Sequence, residues 1–322
     1  MPPRVWIVPV NFNGLDDTRT CLRSLEALSA PASVVVVDNA SNDDPTAILK
    51  AEFASVHVIR NPVNGGWSGG NNAGIRFALD RGADFVLLLN NDTTVHPDLV
   101  SRLLAAADAH PEFGIIGPAI RFMDEPDLTM TDGVLFNRHG YPGFFEPRPV
   151  PERESHVAEI DIVNGCCMMV RAAVFERIGL IDNRFFLIHE ESDFCLRAQE
   201  AGWKCGVLAE ALVWHKGSSS FQRSGRRWQR YYDTRNIGLL LSKHPERPGS
   251  YAKYLRYAYH RWCHEREHGQ ADAADAVLEG LFDAATRRFG AYQPRRRWGV
   301  PVLRGLFETA RRLKPPKNGV PA

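Results

Sequence analysis

The sequence predicts an α/β fold built on a doubly wound, mostly parallel β-sheet. In the first 120 residues, short aliphatic runs alternate with stretches of helical periodicity, and each aliphatic run ends in a polar cluster. Strands that are buried on both faces of a parallel sheet have this short, continuous aliphatic form. Their alternation with helices is typical of α/β proteins, whose ligands bind beyond the carboxyl ends of the strands.

Four strands and four helices account for this part of the sequence. The strand candidates are Val5–Val10, Val34–Val37, Val56–Ile59 and Phe85–Leu89. The helical patterns are Asp17–Leu28, Pro45–Glu52, Asn71–Arg81 and Pro97–Ala109. The polar clusters that follow the four strands begin at Asn11, Asp38, Asn61 and Asn90. We therefore expect these clusters to converge on one rim of the sheet.

Regular patterning is interrupted between Met123 and Glu159, where Pro, Gly, charged and aromatic residues are interleaved. Long irregular segments inside a domain are usually functional or disordered, and the aromatic residues here favour a substrate-facing loop. The tail from Pro248 has a mostly helical pattern. Between these two segments the expected elements are strands at Ile160–Val163 and Met168–Val170 and helices at Arg171–Ile178, Glu190–Ala201 and Trp228–Ser242.

The composition is that of an ordinary globular protein, with 44 % hydrophobic and 24 % charged residues. A net charge of +1 gives no indication of a nucleic-acid partner. Six cysteines without a C-x-x-C pair favour buried thiols in a reducing compartment. The sequence shows no signal peptide and no apolar run of the roughly 18–20 residues that span a bilayer. These features predict a cytoplasmic protein, and docking on a membrane surface is compatible with them.

A glycine-rich segment follows the third strand. Residues 61–74 contain five glycines in what reads as a strand-to-helix connection. Glycine lets backbone amides approach an anion at a helix N-terminus, so the segment is either part of a phosphate site or a flexible turn. Its spacing matches neither a Walker loop nor a dinucleotide fingerprint, which argues against an ATPase or a dehydrogenase.

A single aspartate and a cluster of three carboxylates have the chemistry of catalytic groups. Asp92 comes directly after the fourth strand, where a carboxylate either holds a hard divalent cation or caps the turn. Glu190, Glu191 and Asp193 stand at the start of a helix, where they either complement the helix dipole or supply a general base. His215 follows another apolar run, where a single histidine is more often structural than a ligand.

Seven motifs in one order give the sequence its clearest relationship. In that order they closely resemble the family-two inverting glycosyltransferases, nearest to the bacterial rhamnosyltransferase-like enzymes of cell-surface polysaccharide synthesis. The resemblance covers residues 4–241. The motifs are V-x-V-N-F-N-G, V-V-D-N-A-S-N-D, N-x-x-N-G-G-W-S-G-G-N-N-x-G, L-L-N-N-D, V-N-G-C-C-M-M-V-R, F-F-x-x-x-E-E-x-D and W-H-K-G-x-S.

The resemblance implies an A-type glycosyltransferase fold, a Rossmann-like, mostly parallel sheet flanked by helices. It implies a catalytic domain over residues 1–245, with a donor half over 1–120 and an acceptor and catalytic half over 121–245. A helical, basic extension follows over 246–322. The implied enzyme uses Mg²⁺ or Mn²⁺ and moves a sugar from a nucleotide-diphosphate donor, first of all dTDP-rhamnose, to a hydroxyl of a glycan or lipid-linked acceptor.

Matching the motifs residue by residue implies individual roles. Asn11 and Asp38 are expected at the base or ribose of the donor. The residues expected along the rest of the donor are Asn64, Gly65, Gly70, Asn71, Asn91 and Arg235. The triplet that starts at Asn90 takes the place of the family's D-x-D, so the expected metal ligands are Asp92, Asn90 and His215. Glu191 matches the catalytic base, with Glu190 and Asp193 beside it.

The sequence departs from the family pattern at two of these places. Asn90 stands where the family has an acidic residue, which implies weaker or more water-mediated metal binding. The family's usual E-D-x-D is E-E-x-D here, so Glu190 is an alternative to Glu191 as the base.

The sequence is also compatible with three other functions. They are transfer from a UDP-hexose or UDP-hexosamine, non-catalytic sugar-nucleotide binding on the same fold, and sugar-1-phosphate nucleotidyl transfer. The carboxylates argue against a non-catalytic module. The segment 11–14 lacks the glycine- and arginine-rich loop that a nucleotidyltransferase needs.

The tail is strongly basic between Arg287 and Lys317. A basic amphipathic helix with aromatic flanks suits an anionic membrane surface, and packing on the catalytic domain or on a second subunit is the alternative. The apolar residues that recur at helical spacing are Val302, Leu303, Leu306, Phe307, Ala310 and Leu313.

Overall fold

A computed structural model describes residues 2–134, 148–149, 157–217, 225–246 and 250–313. Within these residues the chain forms eleven strands of one sheet and ten helices. It divides into two compact units. The first unit comprises the described residues up to Asn183 together with Glu190–Gly217, and the second comprises Arg184–His189 and the described residues after Gly217.

The first unit contains the sheet and six helices. Its strands are β1 (Val5–Asn11), β2 (Ser33–Asp38), β3 (His57–Arg60), β4 (Phe85–Asn90), β5 (Thr93–Val95), β6 (Phe113–Phe122), β7 (Leu128–Thr131), β8 (Arg148–Pro149), β9 (Val157–Ile160), β10 (Cys167–Arg171) and β11 (Lys204–His215). Its helices are α1 (Leu15–Leu25), α2 (Thr46–Glu52), α3 (Gly66–Leu79), α4 (Leu99–Ala109), α5 (Ala172–Ile178) and α6 (Glu190–Glu200).

The strand order is β3-β2-β1-β4-β10-β6-β11-β5, with β7 and β9 paired to β6 and β11. Strands β3, β2, β1 and β4 are mutually parallel, as predicted, so their carboxyl ends lie at one edge. Strand β10 is antiparallel to both β4 and β6, which makes the sheet mixed. The strand predicted at 160–163 lies earlier, as β9, because Val157–Ile160 pairs with β11.

The core of the first unit consists of aliphatic side chains from both faces of these strands. Ile7, Val36 and Leu87 are fully buried, and Leu99 of α4 packs in the same cluster. All six cysteines are buried free thiols, in agreement with the prediction of unpaired thiols. Most of the irregular segment predicted between Met123 and Glu159 lies outside the described residues.

The second unit is helical. Its helices are α7 (Arg226–Lys243), α8 (Tyr251–Glu267), α9 (Ala271–Ala285) and α10 (Val300–Leu313). Helix α9 packs against the other three around buried Trp262 and Leu278. The boundary predicted at residue 245 falls inside this unit, because α7 packs on α9. Across the residues that the structure describes, no helix combines the length and the apolar character that crossing a membrane requires.

Candidate active site

A buried hydrogen-bond network joins the ends of β1 and β2. Nδ2 of Asn11 donates to Oδ1 of Asp38 at 2.9 Å and to Oγ of Ser41 at 3.1 Å. Ser41 donates to Asp38 at 2.5 Å, and Nε of Arg60 lies 3.5 Å from Oδ2 of Asp38. The two residues expected at the donor base or ribose therefore lie side by side in a fixed orientation.

Asn39, the residue after Asp38, forms hydrogen bonds with the segment that leads into α3. Its Nδ2 donates to Oδ1 of Asn64 at 3.0 Å and to the carbonyl of Gly66 at 2.9 Å. Its Oδ1 accepts from Nδ2 of Asn61 at 3.0 Å and from the N–H of Gly65 at 3.1 Å. Because both ends of its amide are used, Asn39 fixes the backbone around Asn64 and Gly65.

Most of the glycine-rich segment lies within a helix, whereas the sequence predicts a strand-to-helix connection. Helix α3 begins at Gly66, rather than near Asn71, and contains four of the five glycines. A Cβ at Gly70 would lie 2.6 Å from Cγ1 of Val10, and one at Gly74 would lie 2.2 Å from Cγ1 of Val8. Both distances are far below van der Waals contact. These glycines therefore allow α3 to lie close against β1.

Asn91 and Asn71 use their side chains within the fold. Nδ2 of Asn91 donates to Oγ1 of Thr18 at 2.9 Å, and Thr18 donates to Oδ1 of Asn11 at 2.9 Å. This ties Asn91 to the network at the end of β1. Asn71 is 1 % exposed and donates to the carbonyl of Trp67, one turn earlier in α3, at 2.9 Å.

Strand β11 brings His215 next to Asp92. His215 pairs with Thr93 in the antiparallel register of β11 and β5. Its Nε2 lies 3.0 Å from Oδ1 of Asp92 and 3.5 Å from Nδ2 of Asn90. Its Nδ1 lies 3.2 Å from Sδ of Met130. The three residues expected as metal ligands thus meet at the end of β4.

The cluster at the end of β4 offers few side chains to a metal ion. Among the described residues, no group of three or more His, Cys, Asp and Glu side chains converges. Mg²⁺ and Mn²⁺ that bind together with substrate phosphates need few protein ligands, because phosphate oxygens and water complete the coordination. One carboxylate and one imidazole, Asp92 and His215, fit that requirement, and the amide of Asn90 lies beside them.

Glu190 and Glu191 begin α6 but differ in environment. Glu190 is 4 % exposed, and its Oε2 has no hydrogen-bond partner among the described residues. Burial, and then the nearby charge of Glu191, raises the pKa of Glu190 well above its ordinary value. Glu191 is half-buried and accepts a hydrogen bond from Ser192 at 3.1 Å. Glu190 therefore favours its neutral form, whereas Glu191 is accessible to water.

Gly165 allows Trp67 to approach Glu191. A Cβ at Gly165 would lie 3.1 Å from Cζ2 of Trp67 and 3.4 Å from Cβ of Glu191. On its other side, Nε1 of Trp67 donates to Oδ1 of Asn90 at 3.1 Å. Gly165 therefore lies between Trp67 and Glu191, and Trp67 in turn contacts Asn90.

Asp193 is held in an ion pair. It is fully buried and accepts from Nε of Arg197 at 2.9 Å. Arg197 also donates to the carbonyls of Ile178 at 2.7 Å and Leu180 at 2.9 Å. This arrangement fastens α6 to the end of α5. The place of Asp193 beside Glu191 in the catalytic set remains a prediction from the family resemblance.

Arg235 lies in α7 of the second unit and is 1 % exposed. Its Nε donates to Oδ1 of Asn236 at 2.9 Å, and its two Nη atoms donate to the carbonyls of Gly290 at 2.5 Å and Phe185 at 2.8 Å. Burial lowers the pKa of Arg235. The guanidinium thus holds the backbone at Phe185 and Gly290, and the diphosphate role implied by the family resemblance remains a prediction.

The comparison with protein families identifies the chain. The model of the family described as Glycosyl transferase family 2 matches residues 6–179, more than half of the 322 residues. The chain belongs to glycosyltransferase family 2. Both the family and the hexosyltransferase class predicted from the motifs are confirmed.

Three relatives illustrate what this family-2 glycosyltransferase is similar to. The low-salt glycan biosynthesis hexosyltransferase Agl10 of Haloferax volcanii is 29 % identical over 71 % of this chain and 73 % of its own. The N-acetylglucosaminyl-diphospho-decaprenol L-rhamnosyltransferase of Mycobacterium tuberculosis is 28 % identical over 67 % and 77 %. The dTDP-rhamnosyl transferase RfbF of Shigella flexneri is 28 % identical over 65 % and 71 %.

Solved structures establish the fold. GalNAc-T7, solved with UDP, GalNAc and Mn²⁺, aligns with a TM-score of 0.60 at 14 % identity over 90 % of this chain and 55 % of that one. TarS of S. aureus, residues 1–349, aligns with a TM-score of 0.54 at 15 % identity over 97 % and 92 %. This family-2 glycosyltransferase has the A-type fold, as predicted.

Several residues that build the site were not among those predicted from the sequence. Thr18, Asn39 and Ser41 fix the rim, and Trp67 and Gly165 connect its two halves. Asn39 and Ser41 stand in the polar cluster after β2, so their position at a strand end was a signal for them. The approach of Trp67 to Gly165 has no such signal, because it depends on tertiary packing.

Proposed function

We propose that this family-2 glycosyltransferase transfers a sugar with inversion from dTDP-rhamnose to a hydroxyl of a glycan or lipid-linked acceptor in cell-surface polysaccharide synthesis. The observation that carries the proposal is the 3.0 Å contact between Asp92 and His215, with Asn90 beside it bonded to Trp67 and half-buried Glu191 across Gly165 from that indole. The choice of rhamnose is supported by two relatives that are named rhamnosyltransferases.

The donor is proposed to bind along the carboxyl ends of β1, β2 and β4. Asn11 and Asp38 receive the base or ribose. The residues that form the wall along the rest of the donor are Asn64, Gly65, Gly70, Asn71 and Asn91.

Asp92, His215 and Asn90 would hold Mg²⁺ or Mn²⁺. A cation bound there offsets the negative charge that the nucleoside diphosphate gathers as it leaves. The 3.0 Å approach of His215 to Asp92 supports this assignment, and the similarly folded GalNAc-T7 was solved with Mn²⁺.

Glu191 is the proposed general base. It takes the proton of the acceptor hydroxyl while that oxygen forms a bond to the anomeric carbon and the bond from that carbon to the diphosphate oxygen breaks. A single displacement of this kind inverts the anomeric centre, through a transition state with oxocarbenium character. Glu190 is the weaker candidate, because it is 4 % exposed and burial raises the pKa of its carboxyl.

We place the enzyme in the cytoplasm, at the inner face of the cell membrane, because the donor is a nucleotide sugar and the proposed acceptor is lipid-linked. This location is compatible with the six buried free cysteines.

A donor panel tests the function. Thermal unfolding with Mn²⁺ and either dTDP-rhamnose, a UDP-hexose or a UDP-hexosamine identifies the donor, since a ligand at 100 times its Kd stabilises the native state by about 2.7 kcal/mol. Release of nucleoside diphosphate is then measured with and without acceptor. We expect dTDP-rhamnose to stabilise most and its turnover to require acceptor. Stabilisation without turnover would indicate a non-catalytic module, and a larger shift with a UDP-sugar would contradict the rhamnose assignment.

A further inference from the structure

Helix α10 has two apolar faces. The inner face packs on the helical core of the second unit, where the ring of Phe307 lies 5.4 Å from that of Tyr259 and 5.7 Å from that of Trp262. Leu303 packs on the same core. Leu303 and Phe307, two of the apolar residues that recur at helical spacing in the tail, therefore pack within the chain.

The outer face carries a second apolar stripe. Val302, Leu306 and Leu313 are 60 %, 61 % and 81 % exposed. They are four and seven residues apart, which places them on one side of a helix. Burying such side chains is favourable, so a continuous exposed stripe of this kind indicates an interaction surface.

Trp298 extends this stripe just ahead of α10, and it is 69 % exposed. The neighbouring Arg297 is buried, and its Nη2 donates to Oδ2 of Asp283 at 2.7 Å. The ring of Trp298 lies edge-on to that of Phe282 at 5.4 Å, so the indole is held just ahead of α10 while most of it stays exposed.

Exposed arginines flank the stripe at both ends. Arg295 and Arg296 are exposed ahead of the helix, and Arg312 is exposed in its last turn. Glu308 is the one acidic residue in the sequence Val300–Leu313. Apolar side chains with flanking arginines complement an anionic lipid surface, where the arginines meet lipid phosphates and the apolar groups enter the acyl boundary.

We propose that the outward stripe, formed by Trp298, Val302, Leu306 and Leu313 with its flanking arginines, docks the enzyme on an anionic lipid bilayer. The proposal deepens the proposed function and rests on it for the lipid-linked acceptor. A second copy of the chain is a poorer occupant, because a two-fold interface would bring the like-charged ends of both stripes together.

The test is sedimentation of the full-length protein with liposomes, in the absence of donor and acceptor. We expect binding to liposomes that contain phosphatidylglycerol and much weaker binding to pure phosphatidylcholine. Leu306→Asp should lower the partition coefficient at least about tenfold. Ile48→Asp, which adds the same charge at an aliphatic side chain of α2 that is 43 % exposed, should bind as the wild type does.

Transfer to a short soluble acceptor is measured on the same variants, so that loss of docking and loss of catalysis are separated. Leu306→Asp should retain that transfer. Failure of the full-length protein to sediment, equal binding to both lipids, or equal binding by Leu306→Asp overturns the proposal. A full-length dimer that Leu306→Asp converts to a monomer would assign the stripe to a second copy and overturn it as well.

Discussion

Nε2 of His215 lies 3.0 Å from Oδ1 of Asp92, although the two residues are 123 positions apart in the chain. The pairing of β11 with β5 produces this contact, since it sets His215 opposite Thr93. A carboxylate and an imidazole at that distance can share one divalent cation with a substrate diphosphate. The pair is therefore the first place to test the proposed reaction.

Asp92→Asn should keep the shape of the side chain while removing the charge that attracts a cation. We expect the transfer rate to fall at least about 10²-fold, because the leaving diphosphate loses charge stabilisation. Electron paramagnetic resonance of Mn²⁺ with nucleoside diphosphate should show weaker binding to this variant. Asp108→Asn removes an exposed carboxylate of α4 and serves as the matched control. Full activity of the wild type in excess chelator would remove the metal from the mechanism.

Glu191→Gln and Glu190→Gln should separate the two candidate bases. Glu191→Gln cannot accept the acceptor's proton, so we expect kcat to fall at least about 10²-fold with little change in donor affinity. Glu190 already favours its neutral form, and glutamine resembles a neutral carboxyl, so Glu190→Gln should lose much less. Steady-state kinetics with both variants decide the matter. If Glu190→Gln has lost most of its activity and Glu191→Gln is nearly normal, Glu190 is the general base instead of Glu191.

The raised pKa of Glu190 also predicts a pH dependence of stability. A group whose pKa is higher in the folded state stabilises fully below its unfolded pKa, about 4.3, and this stability is lost as the pH rises through the folded pKa. Relative to Glu190→Gln, the wild type should therefore lose free energy of unfolding as the pH rises above about 4. Urea unfolding of both proteins from pH 4 to pH 8 measures this difference.

Asp44→Asn is the control of opposite sign, and its urea unfolding is compared with that of the wild type from pH 2 to pH 5. Hydrogen bonds from Thr46 lower the pKa of Asp44 to about 2, so its contribution is present above its unfolded pKa and is lost as the pH falls toward 2. If the difference between wild type and Glu190→Gln does not change with pH, Glu190 is not buried as the structure has it.

The sequence carries the α/β part of the fold in its periodicity, but it does not carry long-range proximity. Strands β1 to β4 follow from short aliphatic runs, and the polar ends of β1 and β2 do meet at the rim. The contact between Asp92 and His215 follows from family resemblance alone, since nothing in local spacing joins them. The spacing of Asp193 and Arg197 on one helix is enough to predict their ion pair, but the carbonyls that Arg197 and Arg235 bind are set by tertiary packing.

The glycines of α3 show most clearly that sequence periodicity does not reveal long-range contacts. Substituting Gly74 tests whether this glycine serves helix packing or phosphate binding. In a helix interior, Gly→Ala normally stabilises by about 1 kcal/mol. At Gly74 the added methyl group would lie 2.2 Å from Cγ1 of Val8, so we expect Gly74→Ala to destabilise by about 1–3 kcal/mol instead. The free energy of urea unfolding measures this.

Gly69→Ala is the matched control in the same helix, because its methyl group would meet nothing nearer than Oδ1 of Asn183 at 4.0 Å. We expect it to be neutral or stabilising by up to about 1 kcal/mol. Val8→Ala should relieve the clash, so that Gly74→Ala costs less in that background than in the wild type. If Gly74→Ala leaves stability unchanged but weakens nucleoside diphosphate binding, the glycine serves the ligand and not the packing of α3 on β1.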